Sequence, residues 1–136
     1  MTLDEIIAWF ESLTPRSVER AGEFYTADAY FKDPFNEVRG VEPIRRVFAH
    51  MFEQVDEPRF RVTGRWEGAD GILLGWDFDF RLGRQSRRIQ GMSHLRLAPD
   101  GRIASHRDYW DAAGELYETL PFIGALMRFL RRRVAA

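Results

Sequence analysis

Phe60-Arg61-Val62-Thr63-Gly64-Arg65-Trp66, then Leu74-Gly75-Trp76-Asp77-Phe78-Asp79-Phe80, decide how this chain is read. Every second position is apolar or glycine, which is the period of a β-strand with one face buried. Phe60, Val62, Gly64 and Trp66 are expected on one face of the first strand. Leu74, Trp76, Phe78 and Phe80 share a face of the second, with Asp77 and Asp79 opposite. A Gly68–Gly71 turn joins the two. Downstream, Gly83-Arg84 turns the chain again, and Ile89, Gly91, Ser93, Leu95 and Leu97 define a third long face. Pro99-Asp100-Gly101 is a strong turn signal, and Ile103 to Trp110 reads as the last strand. Gly64, Gly75 and Gly91 fall inside strands, where glycine permits a bend or a close approach.

Upstream of Pro58 the period changes to helical. Ile44, Val47, Phe48, Met51, Phe52 and Val55 form the apolar face of one helix after Gly40. Leu3, Ile6, Ile7, Phe10 and Leu13 form another, from about Leu3 to Leu13. Thr14-Pro15 reads as an N-cap with proline in the first helical position. A short helix through Val18, Ala21 and Tyr25 follows, then a short strand from Ala29 to Asp33 that stops at Pro34. A final helical region is expected from about Ala112 into Arg131-Arg132-Arg133, interrupted near Pro121. Helices first, then a four-strand meander, then a helix predict an α+β domain over residues 1–136. A coiled antiparallel sheet with the N-terminal helices on its concave face encloses a pocket near its open end.

Composition bounds the function. One domain suits 136 residues. There is no cysteine, which excludes disulfides and thiolate metal sites and fits a cytoplasmic, reducing setting. The first residues carry no secretory pattern, and no apolar run reaches the roughly 20 residues of a membrane span. A net charge of −1 gives no reason to expect nucleic acid. The aromatic content of 14% is high, pointing to a lined cavity for a small apolar molecule. Its expected walls include Phe31, Phe48, Phe52, Trp76, Phe78 and Trp110. The Trp76-Phe78-Phe80 stripe is core first. The apolar stretch from Leu120 to Leu130, followed by arginines, reads as a packed or interfacial helix, with anionic membrane as the alternative.

Three places put polar chemistry on apolar faces. Asp33 shares a strand face with Ala29 and Phe31. Burial there would raise its pKa and suit a general acid or base. Alternatively Asp33 caps the Phe35-Asn36-Glu37 turn. His106 and Asp108 share a face with Trp110, about 7 Å apart along the strand, so the carboxylate can orient the imidazole. Alternatively Asp108 pairs with an arginine of a neighbouring strand and His106 is a satisfied core residue. Ser93 is either a pocket donor or a half-buried strand serine. His50, His94 and His106 lack metal-ligand spacing, so neither metal nor cofactor is expected.

The segments Phe24-Tyr25-Thr26-Ala27-Asp28-Ala29-Tyr30-Phe31-Lys32-Asp33-Pro34, Gly40 to Phe52, and Pro99-Asp100-Gly101-Arg102-Ile103 leading to His106-Arg107-Asp108-Tyr109-Trp110-Asp111 resemble the nuclear transport factor 2-like superfamily. Within it they resemble the SnoaL-like polyketide cyclases and ketosteroid isomerase-like proteins. The resemblance implies a cone-like, cystatin-like sheet. It also implies a homodimer paired through that sheet, and cofactor-free isomerase, cyclase or dehydratase chemistry. Asp33 matches the proton-shuttling aspartate of the isomerases. Ser93 stands where those enzymes place an aspartic acid donor, and Trp9 where they place a tyrosine. Arg107-Asp108-Tyr109 resembles the last strand of limonene-epoxide hydrolase-like enzymes, whose aspartate helps activate water. Asp77 matches their second aspartate by position but faces away from Trp76 and Phe78, and Gly75 replaces their arginine. A ligand-binding or interaction domain without turnover is the alternative function.

Overall fold

The structure, a computed structural model, describes residues 1–112. The helix expected beyond Ala112, its break near Pro121 and the arginine cluster lie outside the described residues. Helix α1 (Leu3–Glu11) opens with a capping box. The Glu5 amide donates to Thr2 Oγ1 at 3.2 Å and the Thr2 amide to the Glu5 carboxylate at 2.9 Å, satisfying donors that a helix start otherwise leaves bare. Thr14 and Ser17 repeat this reciprocal pair before a single 3-10 turn, Ser17–Arg20. A one-turn helix α2 (Ala21–Phe24) follows, and strand β1 (Tyr25–Lys32) starts at once. The strand thus begins four residues before the expected Ala29. Tyr25 belongs to it because its backbone pairs with Ile103.

An unexpected short strand, β2 (Glu37–Arg39), folds back on β1. Helix α3 (Val41–Gln54) begins at Gly40, whose φ of 102° is open only to glycine at low cost. Strands β3 (Asp56–Gly68), β4 (Gly71–Leu82), β5 (Gln85–Leu97) and β6 (Ile103–Trp110) form the expected meander. The six strands make one curved, unclosed sheet in the order β2-β1-β6-β5-β4-β3, antiparallel except at the β1–β6 seam. The α1 and α3 helices cover one face. Ile6, Trp9, Phe10, Ile44 and Phe48 bury against Ala29, Phe31, Leu74 and Leu95. A smaller cluster of Trp76, Phe80 and Ile89 lies toward the other end.

One strand face departs from its expected pattern. Val62 pairs with Trp76, but Gly64 pairs with Gly75, so Thr63 is an extra residue, a β-bulge. Past it, side chains exchange faces. Trp66 opposes Leu73 on the outer face, and both are exposed. Phe60 and Val62 stay inside; Trp66 does not.

Candidate functional site

The site lies where β4, β5 and β6 run side by side beneath the helices. Register sets Leu74 opposite Ser93, Ser93 opposite Asp108, and Leu95 opposite His106. On the far side of β6, His106 pairs with Phe31 of the parallel neighbour. A one-residue slip would send these side chains outside. Phe10, Phe48, Phe60, Val62, Leu74 and Trp76 wall a narrow cavity of about 20 Å³, with Ser93, His106 and Asp108 as its polar part. That volume takes about one water-sized centre.

A continuous hydrogen-bond chain runs under this cavity. Trp76 Nε1 donates to Ser93 Oγ at 2.9 Å. Indole can only donate, so the Ser93 hydroxyl proton is free to go to Asp108 Oδ1, which it meets in a short contact. His106 Nε2 lies 2.7 Å from the same oxygen, and Tyr25 Oη lies 2.7 Å from His106 Nδ1. One assignment satisfies every group. Tyr25 donates to Nδ1, and Nε2–H donates to the carboxylate. Burial, with the Asp108 charge nearby, pushes the Tyr25 phenol well above its ordinary pKa and keeps it a donor. Phe31 meets the imidazole edge to face at 4.8 Å, and the Tyr25 ring is stacked parallel to it at 6.0 Å. Both ring nitrogens of His106 are therefore occupied.

Asp108 Oδ1 takes two donors, while Oδ2 accepts no hydrogen bond among the described residues. Asp108 also lines an open outer groove with Lys32, Asp33, Pro34, Arg107, Tyr109, Trp110 and Asp111. Asp33 and Asp108 thus share the groove, while His106 and Asp108 share the cavity. The Asp33 carboxylate accepts from the Phe35 amide at 2.8 Å, the Asn36 amide at 2.6 Å and the Asn36 side chain at 3.0 Å. It closes the turn after β1. Burial raises its pKa nonetheless, against the Asn36 and Phe35 hydrogen bonds and with help from the Asp108 charge.

Other expected pocket residues lie elsewhere. Trp9 is stacked on Phe24 at 4.5 Å and donates Nε1–H to the Ser17 carbonyl at 3.0 Å, so it offers nothing to the cavity. Phe31 and Phe52 belong to the helix-covered core, Phe78 to the second cluster, and Trp110 to the groove. Phe48, Trp76 and Ser93 do line the cavity. Tyr25, Phe10, Phe60, Val62 and Leu74 were not singled out as site residues. The last four carried a signal in their shared apolar faces. Tyr25 carried none, because its partner lies 81 residues away. Among the described residues, Asp108 is held by Ser93 and His106 and not by an arginine of a neighbouring strand; the arginine pairing falls to Asp77 on the outer face. The Asp77 carboxylate accepts from Arg61 Nη2 at 2.7 Å and from Gln90 Nε2 at 3.3 Å, and the Arg61 bond leads in lowering the Asp77 pKa. Among the described residues, no three His, Cys, Asp or Glu side chains come together as metal ligands.

This curved, unclosed sheet with helices over one face is the nuclear transport factor 2-like fold. The chain belongs to the SnoaL-like domain family, whose profile matches residues 6–106. No curated protein matches it. Among solved structures, it is similar to a hypothetical protein with a ketosteroid isomerase-like fold from Catenulispora acidiphila DSM 44928, in complex with trimethylamine. Identity is 17%, the TM-score 0.72, and the match covers 85% of this chain and 92% of that one. An LEH-like epoxide hydrolase of M. tuberculosis matches at 17% identity and TM-score 0.71, covering 91% and 92%. A proposed SnoaL-like polyketide cyclase of Shewanella putrefaciens CN-32 matches at 18% identity and TM-score 0.69, covering 90% and 88%. Likeness at such identities establishes the fold, which hosts many chemistries.

Proposed function

We propose that this protein binds a small apolar molecule and moves a proton on it without a cofactor, as an isomerase, cyclase or dehydratase would. The observation that carries the reading is the half-satisfied carboxylate of Asp108. Two donors pin one of its oxygens while the other accepts no hydrogen bond among the described residues, and the carboxylate stands between the one-water apolar cavity and the roomier outer groove, which is where a small molecule fits. A base needs this: fixed orientation, and a lone pair not already spent. Asp108 takes a proton from an acidic C–H through Oδ2, and His106 and Ser93 hold it in place. Asp33 is the second proton site, its raised pKa suiting a carboxyl that carries a proton while its neighbour is ionised. The base's role fits Asp108 better than Asp33, whose carboxylate accepts four hydrogen bonds from its own turn.

Deuterium exchange into a panel of small carbon acids, followed by proton NMR, tests this. Asp108→Asn should reduce exchange by about 10²–10⁴-fold. Undiminished exchange in that variant sinks the assignment. Tight ligand binding that survives Asp33→Asn with Asp108→Asn, with no product, would identify a binding protein without turnover.

A second reading concerns the outer face. Trp66, Leu73 and Tyr109 are 56%, 40% and 48% exposed, and Met92 lies between Gly75 and Tyr109 in the ladder. We propose that this apolar patch pairs two copies of the chain. Light scattering at micromolar concentration should show a dimer that Trp66→Glu splits; a wild-type monomer refutes it. A cytoplasmic setting fits the cysteine-free sequence. No helix of the described residues is long and apolar enough to cross a membrane.

A further inference from the structure

The hydrogen-bond chain does not stop at His106, and its last member has no contact with the cavity. Tyr25 is fully buried at the start of β1, its hydroxyl 2.7 Å from His106 Nδ1. It does not line the cavity or the groove. A tyrosine hydroxyl buried in an apolar core is costly unless bonded, and phenylalanine would pack the same ring. The hydroxyl therefore calls for an explanation beyond packing.

We infer that Tyr25 is a positioning residue that fixes the tautomer of His106 and, through it, the orientation of the Asp108 carboxylate. A neutral imidazole has one donor and one acceptor nitrogen. Two tautomers are open to it unless a neighbour chooses between them. Here both neighbours vote the same way. The Tyr25 O–H needs an acceptor and, among the described residues, finds it only at Nδ1; the Asp108 oxygen that already takes the Ser93 hydroxyl needs a donor from Nε2, not a second lone pair. In the other tautomer Nδ1–H would donate to the Tyr25 oxygen and leave the phenol proton without an acceptor among the described residues, while an Nε2 lone pair would face the carboxylate oxygen. Asp108 would then turn away or bind a proton, and either change removes the base. Tyr25 thus sets the state of a carboxylate two hydrogen bonds away without touching substrate. The catalytic consequence rests on Asp108 acting as the base; the tautomer assignment does not.

The test has two arms on the full chain. Long-range proton–nitrogen NMR of labelled protein reports which ring nitrogen of His106 bears the proton. The wild type should show the Nε2–H form alone. Tyr25→Phe, which keeps the ring, should show a mixture of tautomers. An Nδ1–H form in the wild type overturns the inference whether or not any variant folds. So does a pure Nε2–H form in a folded Tyr25→Phe protein. In the kinetic arm, Tyr25→Phe should lower kcat for exchange about 3- to 10-fold, the worth of one buried hydrogen bond, with KM nearly unchanged. A shifted tautomer with unchanged kcat would separate Tyr25 from catalysis and overturn the positioning role. Loss of tautomer control alongside full exchange in Asp108→Asn would place the failure in the base assignment instead.

Discussion

Gly91→Ala and Gly64→Ala present the same local clash with unequal expected costs. At Gly91 an added Cβ would lie 2.4 Å from Trp76 Cη2, 2.7 Å from Cζ2 and 3.0 Å from Trp110 Cβ. At Gly64 it would lie 2.6 Å from Trp66 Cη2. Distance alone makes the two equivalent, but the freedom of the indole decides. Trp66 is 56% exposed and can swing off the sheet, whereas Trp76 is 7% exposed, anchored through Nε1 to Ser93 and packed on Phe60. Forcing a methyl into a packed core costs about 1–3 kcal/mol. Displacing the indole from Ser93 adds about 1 kcal/mol. Gly91→Ala should therefore lose about 2–4 kcal/mol, and Gly64→Ala under about 1 kcal/mol. With a urea slope of about 2 kcal/mol per molar, the first should lower the unfolding midpoint by about 1–2 M. The Trp76 indole N–H resonance should move as its bond to Ser93 breaks. Equal midpoint shifts for the two variants would refute the reasoning. So would a Gly91→Ala shift below about 0.3 M with the indole resonance unmoved, since packing around Trp76 would then be loose.

Two predictions concern acid titration. The Asp33 carboxyl, followed by carbon-detected NMR, should titrate above the ordinary value of about 3.9, and Asp108→Asn should bring it down, because the Asp108 charge is one of the causes that raise it. A raised folded pKa means its contribution favours folding below the unfolded value and is lost as pH rises through the folded one. A measured value at or below the ordinary one would remove Asp33 from the proposed acid–base pair. Asp77 has the opposite sign: Arg61 holds its pKa down. The stability advantage of the wild type over Arg61→Met should be full above pH about 4 and shrink as pH falls through the lowered Asp77 value. A gap constant across that window would show that Asp77 and Arg61 do not interact in solution.

Much of the architecture is written locally. The Thr2 and Thr14 caps, the α3 face after Gly40, the turn at Pro99-Asp100-Gly101 and the period-two strands depend on neighbours a few residues apart. The alternation on β6 puts His106 and Asp108 on one face, and that on β4 puts Asp77 on the face opposite Trp76. Asp33 was legible as a turn cap for the same reason: all its partners lie within three residues. Strand β2 escaped because three residues give period-two patterning too little length to show.

What the sequence could not decide is everything set by register between distant strands. The bulge at Thr63 costs one residue of pairing and turns Trp66 from an expected core residue into a surface one; nothing in the local pattern marks it. Trp9 had the right chemistry for a pocket donor, but the fold offers it the Ser17 carbonyl instead. Tyr25, His106, Asp108, Ser93 and Trp76 come from four strands, and only the pairing of β1 with β6, β6 with β5 and β5 with β4 brings their polar atoms into one chain. Local periodicity chooses which face a side chain takes. Tertiary pairing chooses its neighbours on that face, and so decides which oxygen of Asp108 takes the Ser93 and His106 donors.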